Sequence, residues 1–122
     1  MSYRIERINN LIRQEISELL QRQVKDPRLG TFIAVTEVST SPDLKSAKVF
    51  VSRISNQEEK EETMQALEAA AGFLRKSLMK NLRLRRVPDL HFYWDDSIER
   101  ADRLFRLLDQ AGAEDGGTTE KN

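Results

Sequence analysis

Between Arg75 and Arg86 the chain carries Arg75, Lys76, Lys80, Arg83, Arg85 and Arg86 and no acidic residue, although Lys+Arg and Asp+Glu balance at 20 each. A cluster of this kind binds anions. Lysine and arginine gain phosphate affinity largely by releasing condensed counterions, so an exposed basic face attaches to folded RNA with little regard to its sequence. At about 100° per residue, Lys76, Lys80 and Arg83 fall within roughly 60° of one another, while Ala71, Leu74, Leu78 and Leu82 gather on the opposite side. One face packs and the other meets an anion. Lys76, Lys80 and Arg83 are the leading RNA-binding candidates, followed by Arg75, Arg85 and Arg86. The competing reading is a solvated helix face that happens to be basic.

Other residues offer weaker chemistry. Tyr93 and Trp94 can stack on bases, but an alternating aromatic strand is more often core, and Phe92 and Trp94 are read as core. Arg28 either reaches RNA or braces its own loop. His91, the single histidine, stands near Asp95 and Asp96, a set that a metal-assisted hydrolase can use. Strand alternation sends neighbouring side chains to opposite faces, and Asp96 is already read as a helix cap. The chain is therefore taken not to be an enzyme, with no catalytic residue and no metal site. With no G-x-x-x-x-G-K-[ST] motif and no cysteine, no cofactor, thiolate nucleophile or disulfide framework is expected.

At 122 residues, with 39% hydrophobic and 33% charged residues, the chain has the size of one domain and lacks the signature of disorder. A single domain over residues 1–111 is expected, with a tail free of anchoring apolar residues over 112–122. Arg4, Glu6 and Arg7 interrupt any apolar signal core, and no stretch approaches a membrane span. The default expectation is a cytoplasmic monomer.

The elements that must position the basic cluster follow from periodicity. Ile5, Ile8, Ile12, Ile16, Leu19 and Leu20 recur at helical spacing and predict a first helix ending near Val24. Lys25 to Gly30 is a connector punctuated by Pro27. Thr31–Thr40 and Ala47–Ile54 read as strands joined by a turn at Ser41-Pro42-Asp43-Leu44. Ser55-Asn56-Gln57 offers a cap, with Glu58 or Glu59 placed to complete it. Met64, Leu67, Ala70 and Ala71 give the next helix its buried face, and Gly72 predicts a kink or break. The basic helix follows, then a third strand over Leu90–Trp94. A last amphipathic helix begins after Asp96, with Glu99 at its start and Ile98, Ala101, Leu104, Phe105 and Leu108 on its apolar face.

The order is helix, strand, strand, helix, kink, helix, strand, helix, an α+β layer whose three-stranded sheet carries its helices on one face. That order resembles the ribosome-binding factor A family, through KDPRL at Lys25–Leu29, SPDLKSAKVFVS at Ser41–Ser52, AAGFLRKSL at Ala70–Leu78 and LRLRRVPDLHFYWDDSIERADRL at Leu82–Leu104. The resemblance implies a type II KH-like fold in which Ala70-Ala71-Gly72 forms an interhelical kink in place of the phosphate-clamping G-x-x-G loop of other KH domains. Ala101 and Leu104 depart from the glycine and isoleucine of many members. The resemblance further implies binding to the small (30S) ribosomal subunit and its 16S rRNA during late maturation, an association with cold adaptation, and release assisted by a GTPase. A protein-interaction module acting through the first helix or the exposed sheet face is the alternative. Salt separates the two, since attachment to rRNA weakens steeply with ionic strength and an apolar protein contact changes little.

Overall fold

The computed structural model describes residues 3–22, 24, 27–29, 33–53, 55–84 and 86–116. Helix α1, Tyr3–Arg22, buries Ile12, Ile16, Leu19 and Leu20 and leaves Ile5 and Ile8 half-buried. The expected apolar arc is therefore the packing face. After α1, a short 3-10 turn occupies Pro27–Leu29. Lys25, Asp26 and Gly30 of the connector lie outside the described residues, as do Thr31, Phe32 and Ile54 of the expected strands.

Strands β1, Ala34–Thr40, and β2, Ser46–Ser52, form the antiparallel hairpin. Its turn is held by Leu44 N–H donating to Ser41 O at 2.9 Å, and Asp43 Oδ1 accepts from Ser41 Oγ at 2.6 Å and Lys45 N at 3.0 Å. These bonds hold the Asp43 carboxyl below its ordinary range, the Ser41 hydroxyl foremost. They also hold Leu44 at φ 63, in the left-handed region that few non-glycine residues adopt. Strand β3, Asp89–Trp94, runs parallel to β2, so β2 is central in the order β1-β2-β3. Ala47, Val49 and Val51 of β2 and Leu90 and Phe92 of β3 point to the core, as period-two alternation requires. Ser39, Lys48, His91 and Tyr93 are exposed on the other side, with Phe50 half-buried among them.

Helix α2, Gln57–Leu82, starts on a full capping box: Glu59 N donates to Asn56 Oδ1 at 2.7 Å and Asn56 N to Glu59 Oε1 at 3.1 Å. It then runs unbroken through Ala70, Ala71 and Gly72, so the two helices expected around a kink are one. The reason lies in the stripe. Thr63, Ala66, Leu67, Leu74 and Leu78 are all buried at steps that keep one helical phase across the glycine. Burying several large apolar side chains at about 1.5–3 kcal/mol each outweighs the roughly 1 kcal/mol that glycine forfeits relative to alanine. Gly72 is exposed, and a Cβ placed there meets nothing within 4 Å, so neither kinking nor close packing explains it.

Helices α1 and α2 cover the same face of the sheet and complete the core. Helix α3, Ser97–Gly116, begins after Asp96 as expected, with Asp96 O accepting from Arg100 N at 2.9 Å, but differs from expectation in its capping side chain and at its far end. The capping side chain is Asp95, whose Oδ1 accepts from Ser97 N at 2.9 Å, whereas the Asp96 carboxylate pairs with Arg100 at 3.3 Å. At the far end the helix continues past Gly112, where a tail was expected; residues 117–122 lie outside the described residues. Its apolar side does not join the core: Leu104, Leu107 and Leu108 are more than half exposed and Phe105 is 68% exposed. The 3.6-residue pattern makes the helix, but α1 and α2 already occupy the core face of the sheet. No described helix is long and apolar enough to cross a membrane.

Candidate nucleic-acid interface

The buried stripe of α2 fixes which way its basic residues point. Leu74 and Leu78 are fully buried, so Lys76 and Lys80, about half a turn away, project into solvent. Neither forms an ion pair with a described residue. Phe73 and Met79 lie about 60° to either side of this basic line and are 45% and 51% exposed. The outward face of α2 thus combines cations with apolar flanks, a feature that the basic residues alone did not reveal.

Arg83 closes the helix. It is exposed at φ 53 and ψ 38, the left-handed geometry usual just past a helix C-terminus. Its side chain is exposed just past the helix end, beyond Lys76 and Lys80, while the backbone reverses the chain toward β3. Lys80, in the last turn, also meets the negative end of the helix dipole. That local role is compatible with a solvent-facing ammonium.

Arg75 belongs to a different environment. Its Nη2 donates to Val87 O at 3.0 Å and its Nε lies 3.4 Å from Asp89 Oδ1, so it braces the segment between α2 and β3. Arg86, on that segment, is exposed and lines an open groove of about 360 Å³ with Arg4, Ile8, Asp43, Leu44 and Leu84. Arg85 lies outside the described residues. Of the six expected basic residues, Lys76 and Lys80 share the exposed C-terminal half of α2, Arg83 lies just past its end and Arg86 on the loop beyond it, and Arg75 is turned to structural use.

The other candidates separate as clearly. Phe92 is buried, and Trp94 is half-buried with its Nε1 donating to Glu99 Oε1 at 3.1 Å and the Lys60 ammonium 5.6 Å from its ring centre. Tyr93, between them, points to the open side of the sheet. Asp95 is engaged by Thr36 Oγ1 at 2.6 Å as well as by Ser97. Those hydrogen bonds, the Thr36 hydroxyl foremost, hold its carboxyl below the ordinary range. His91 is exposed, and no metal-holding group of three His, Cys, Asp or Glu side chains occurs among the described residues.

At Arg28 the useful atom is the carbonyl. Arg53 Nη1 lies 3.3 Å from Arg28 O and 3.1 Å from Thr63 Oγ1, and the Thr63 hydroxyl reaches Glu59 O at 2.7 Å. Thr63 has one proton for two nearby carbonyls and gives it to the closer, Glu59, leaving Arg53 to satisfy Arg28. This knot ties the connector to α2. The sequence signals it only weakly, since threonine and arginine are ordinarily surface residues.

The family model described as ribosome-binding factor A matches residues 4–108. A ribosome-binding factor A of Dictyoglomus thermophilum is 50% identical, over 98% of this chain and all of its own length. Among solved structures, the solution NMR structure of a Thermotoga maritima protein described as a ribosome binding factor A is 39% identical. It aligns at a TM-score of 0.70 over 81% of this chain and 93% of its own. A homology model of the Thermus thermophilus ribosome binding factor A, as fitted into a cryo-EM map of its complex with the 30S subunit, aligns at 0.60 and 26% identity, over 72% and 91% of the two chains. The family match spans both the hairpin and the basic half of α2, and by it the chain belongs to the ribosome-binding factor A family.

Proposed function

We propose that this protein binds the small ribosomal subunit and its 16S rRNA during late maturation, held through the basic face at the C-terminal half of α2. The observation that carries this reading is that Lys76 and Lys80 are exposed on the outward face of α2 and Arg83 is exposed just past its end, none of them with a carboxylate partner among the described residues. The occurrence of the Thermus relative in a complex with the 30S subunit supports the same partner. The protein acts by binding, without catalysis, as a cytoplasmic monomer whose need rises in the cold. A GTPase assists its departure when maturation ends.

The test is co-sedimentation with precursor and mature small subunits at low and moderate salt, with large subunits as control. Selective association that weakens with salt is expected. Charge reversal of Lys76, Lys80 and Arg83 together abolishes it while circular dichroism stays unchanged. Undiminished binding by the folded triple variant overturns the assignment of the face. A second reading, docking to a protein, is favoured by the bare apolar side of α3 at Leu104, Phe105 and Leu108. Salt-insensitive association lost on Phe105→Ser would select it.

A further inference from the structure

The face of the sheet turned away from α1 and α2 carries its own chemistry. Phe50 on β2 and Tyr93 on β3 are register partners, with ring centroids 5.5 Å apart and planes inclined by 30°. In the adjoining row Lys48 pairs with His91, and the Lys48 ammonium lies 5.8 Å from the Tyr93 ring centre. Tyr93 is 44% exposed, and Lys48 and His91 are exposed. Acidic residues bordering this face are Glu37, opposite Phe50 on β1; Asp89, which alternates with His91 and Tyr93 on β3 and pairs with Arg75; and Asp95, held by Thr36 and Ser97. Lys48 stands without a carboxylate partner among the described residues.

An aromatic pair on an open sheet does nothing for the core, since the packing of β2 and β3 is done by Val49, Val51, Leu90 and Phe92 on the other side. Flat rings presented to solvent beside an unpaired ammonium match an unpaired nucleotide, whose base stacks on the ring while its phosphate meets the cation. We propose that the open face of the sheet is a stacking platform for unpaired RNA bases, with Tyr93 and Phe50 supplying the rings and Lys48 the phosphate contact. The inference rests on the RNA-binding reading above and adds a second surface, separated from the basic face of α2 by the helical layer. The two surfaces contribute differently. The α2 face acts through charge and tolerates paired RNA, whereas the sheet face requires bases free to leave a helix.

The experiment measures fluorescence anisotropy of a short unpaired oligoribonucleotide, and of a hairpin duplex of similar length, over a series of salt concentrations. Tyr93→Ala is expected to weaken the unpaired oligonucleotide roughly tenfold, as loss of one stacked base implies. The slope against salt and the duplex affinity stay unchanged. Tyr93→Phe keeps the ring and retains wild-type affinity. The Lys76, Lys80 and Arg83 charge reversal lowers the salt slope instead, so failure of either surface is read separately. Wild-type oligonucleotide affinity in a folded Tyr93→Ala variant overturns the proposal. So does equal loss on the duplex, or loss of subunit association with oligonucleotide binding intact, which assigns the face to a protein.

Discussion

Thr36 Oγ1 donates to Asp95 Oδ2 at 2.6 Å, joining β1 to the residue that follows β3 although β2 lies between them. The bond depends on an irregularity. The register shifts between Val35 and Glu37, and Thr36 is the extra residue, freed to reach across Phe50 of the central strand. Asp95 spends its other oxygen on Ser97 N at the start of α3, so one carboxylate fastens the sheet edge to the last helix.

A pH dependence follows. Asp95 has its folded-state pKa lowered from an ordinary 3.8. A lowered carboxylate stabilises the fold above its unfolded pKa and loses that contribution as pH falls through the folded value. Chemical denaturation from neutral pH to below 4 should therefore show stability declining at the acid end. Asp95→Asn should be less stable at pH 7 and show a shallower acid decline. Thr36→Val, which removes the donor, should lose about 1 kcal/mol at pH 7.

Gly72→Ala should stabilise the protein by about 0.5–1 kcal/mol, because α2 is continuous there and the added methyl meets no atom within 4 Å. Thermal melting checks the sign. A destabilised Gly72→Ala protein would restore the kinked geometry that the sequence suggested.

Arg83→Gly separates the two roles of one residue. Glycine takes the left-handed conformation without the roughly 1 kcal/mol or more that a side chain forfeits there, so the melting temperature should hold or rise. Subunit binding should weaken, with the logarithmic salt slope smaller by about 1. An unaltered slope would remove Arg83 from the phosphate contacts.

Arg75→Ala should behave in the opposite way. Losing the bond to Val87 O and the pair with Asp89 should cost about 1–2 kcal/mol in denaturation midpoint analysis. Binding, measured well below the melting transition, should change less than in Lys76→Ala.

Leu74→Ala should cost about 2–5 kcal/mol, since the side chain is fully buried under the basic line. A loss below 1 kcal/mol in urea unfolding would contradict the packing that orients Lys76 and Lys80.

What the sequence reveals is what periodicity and local capping encode. The α1 arc, the hairpin and its turn, the Asn56 and Glu59 cap and the outward direction of Lys76 and Lys80 all follow from short-range spacing. Departures arise where distant partners decide. Gly72 signals a break only if its neighbours are ignored, and the stripe from Thr63 to Leu78 overrides it. The α3 pattern is truly amphipathic, but no periodicity tells whether an apolar face will find an unoccupied surface. Arg75 looks like its basic neighbours until Val87 and Asp89 return beside it, fourteen positions on at most. Tyr93 is separated from Phe92 and Trp94 only by which side of the sheet the helices take.

Continuity of α2 has an electrical consequence. Its 26 residues form a rod of about 39 Å. Glu58, Glu59, Glu61 and Glu62 stand at one end, and Lys76, Lys80 and Arg83 at the other. A chain with zero net charge is neither drawn to nor repelled by a polyanion as a point charge. Two opposed clusters on a rigid rod instead form a large permanent dipole, and the field of an RNA surface exerts a torque on it before any contact is made. Along α2 that torque favours approach with the basic end first.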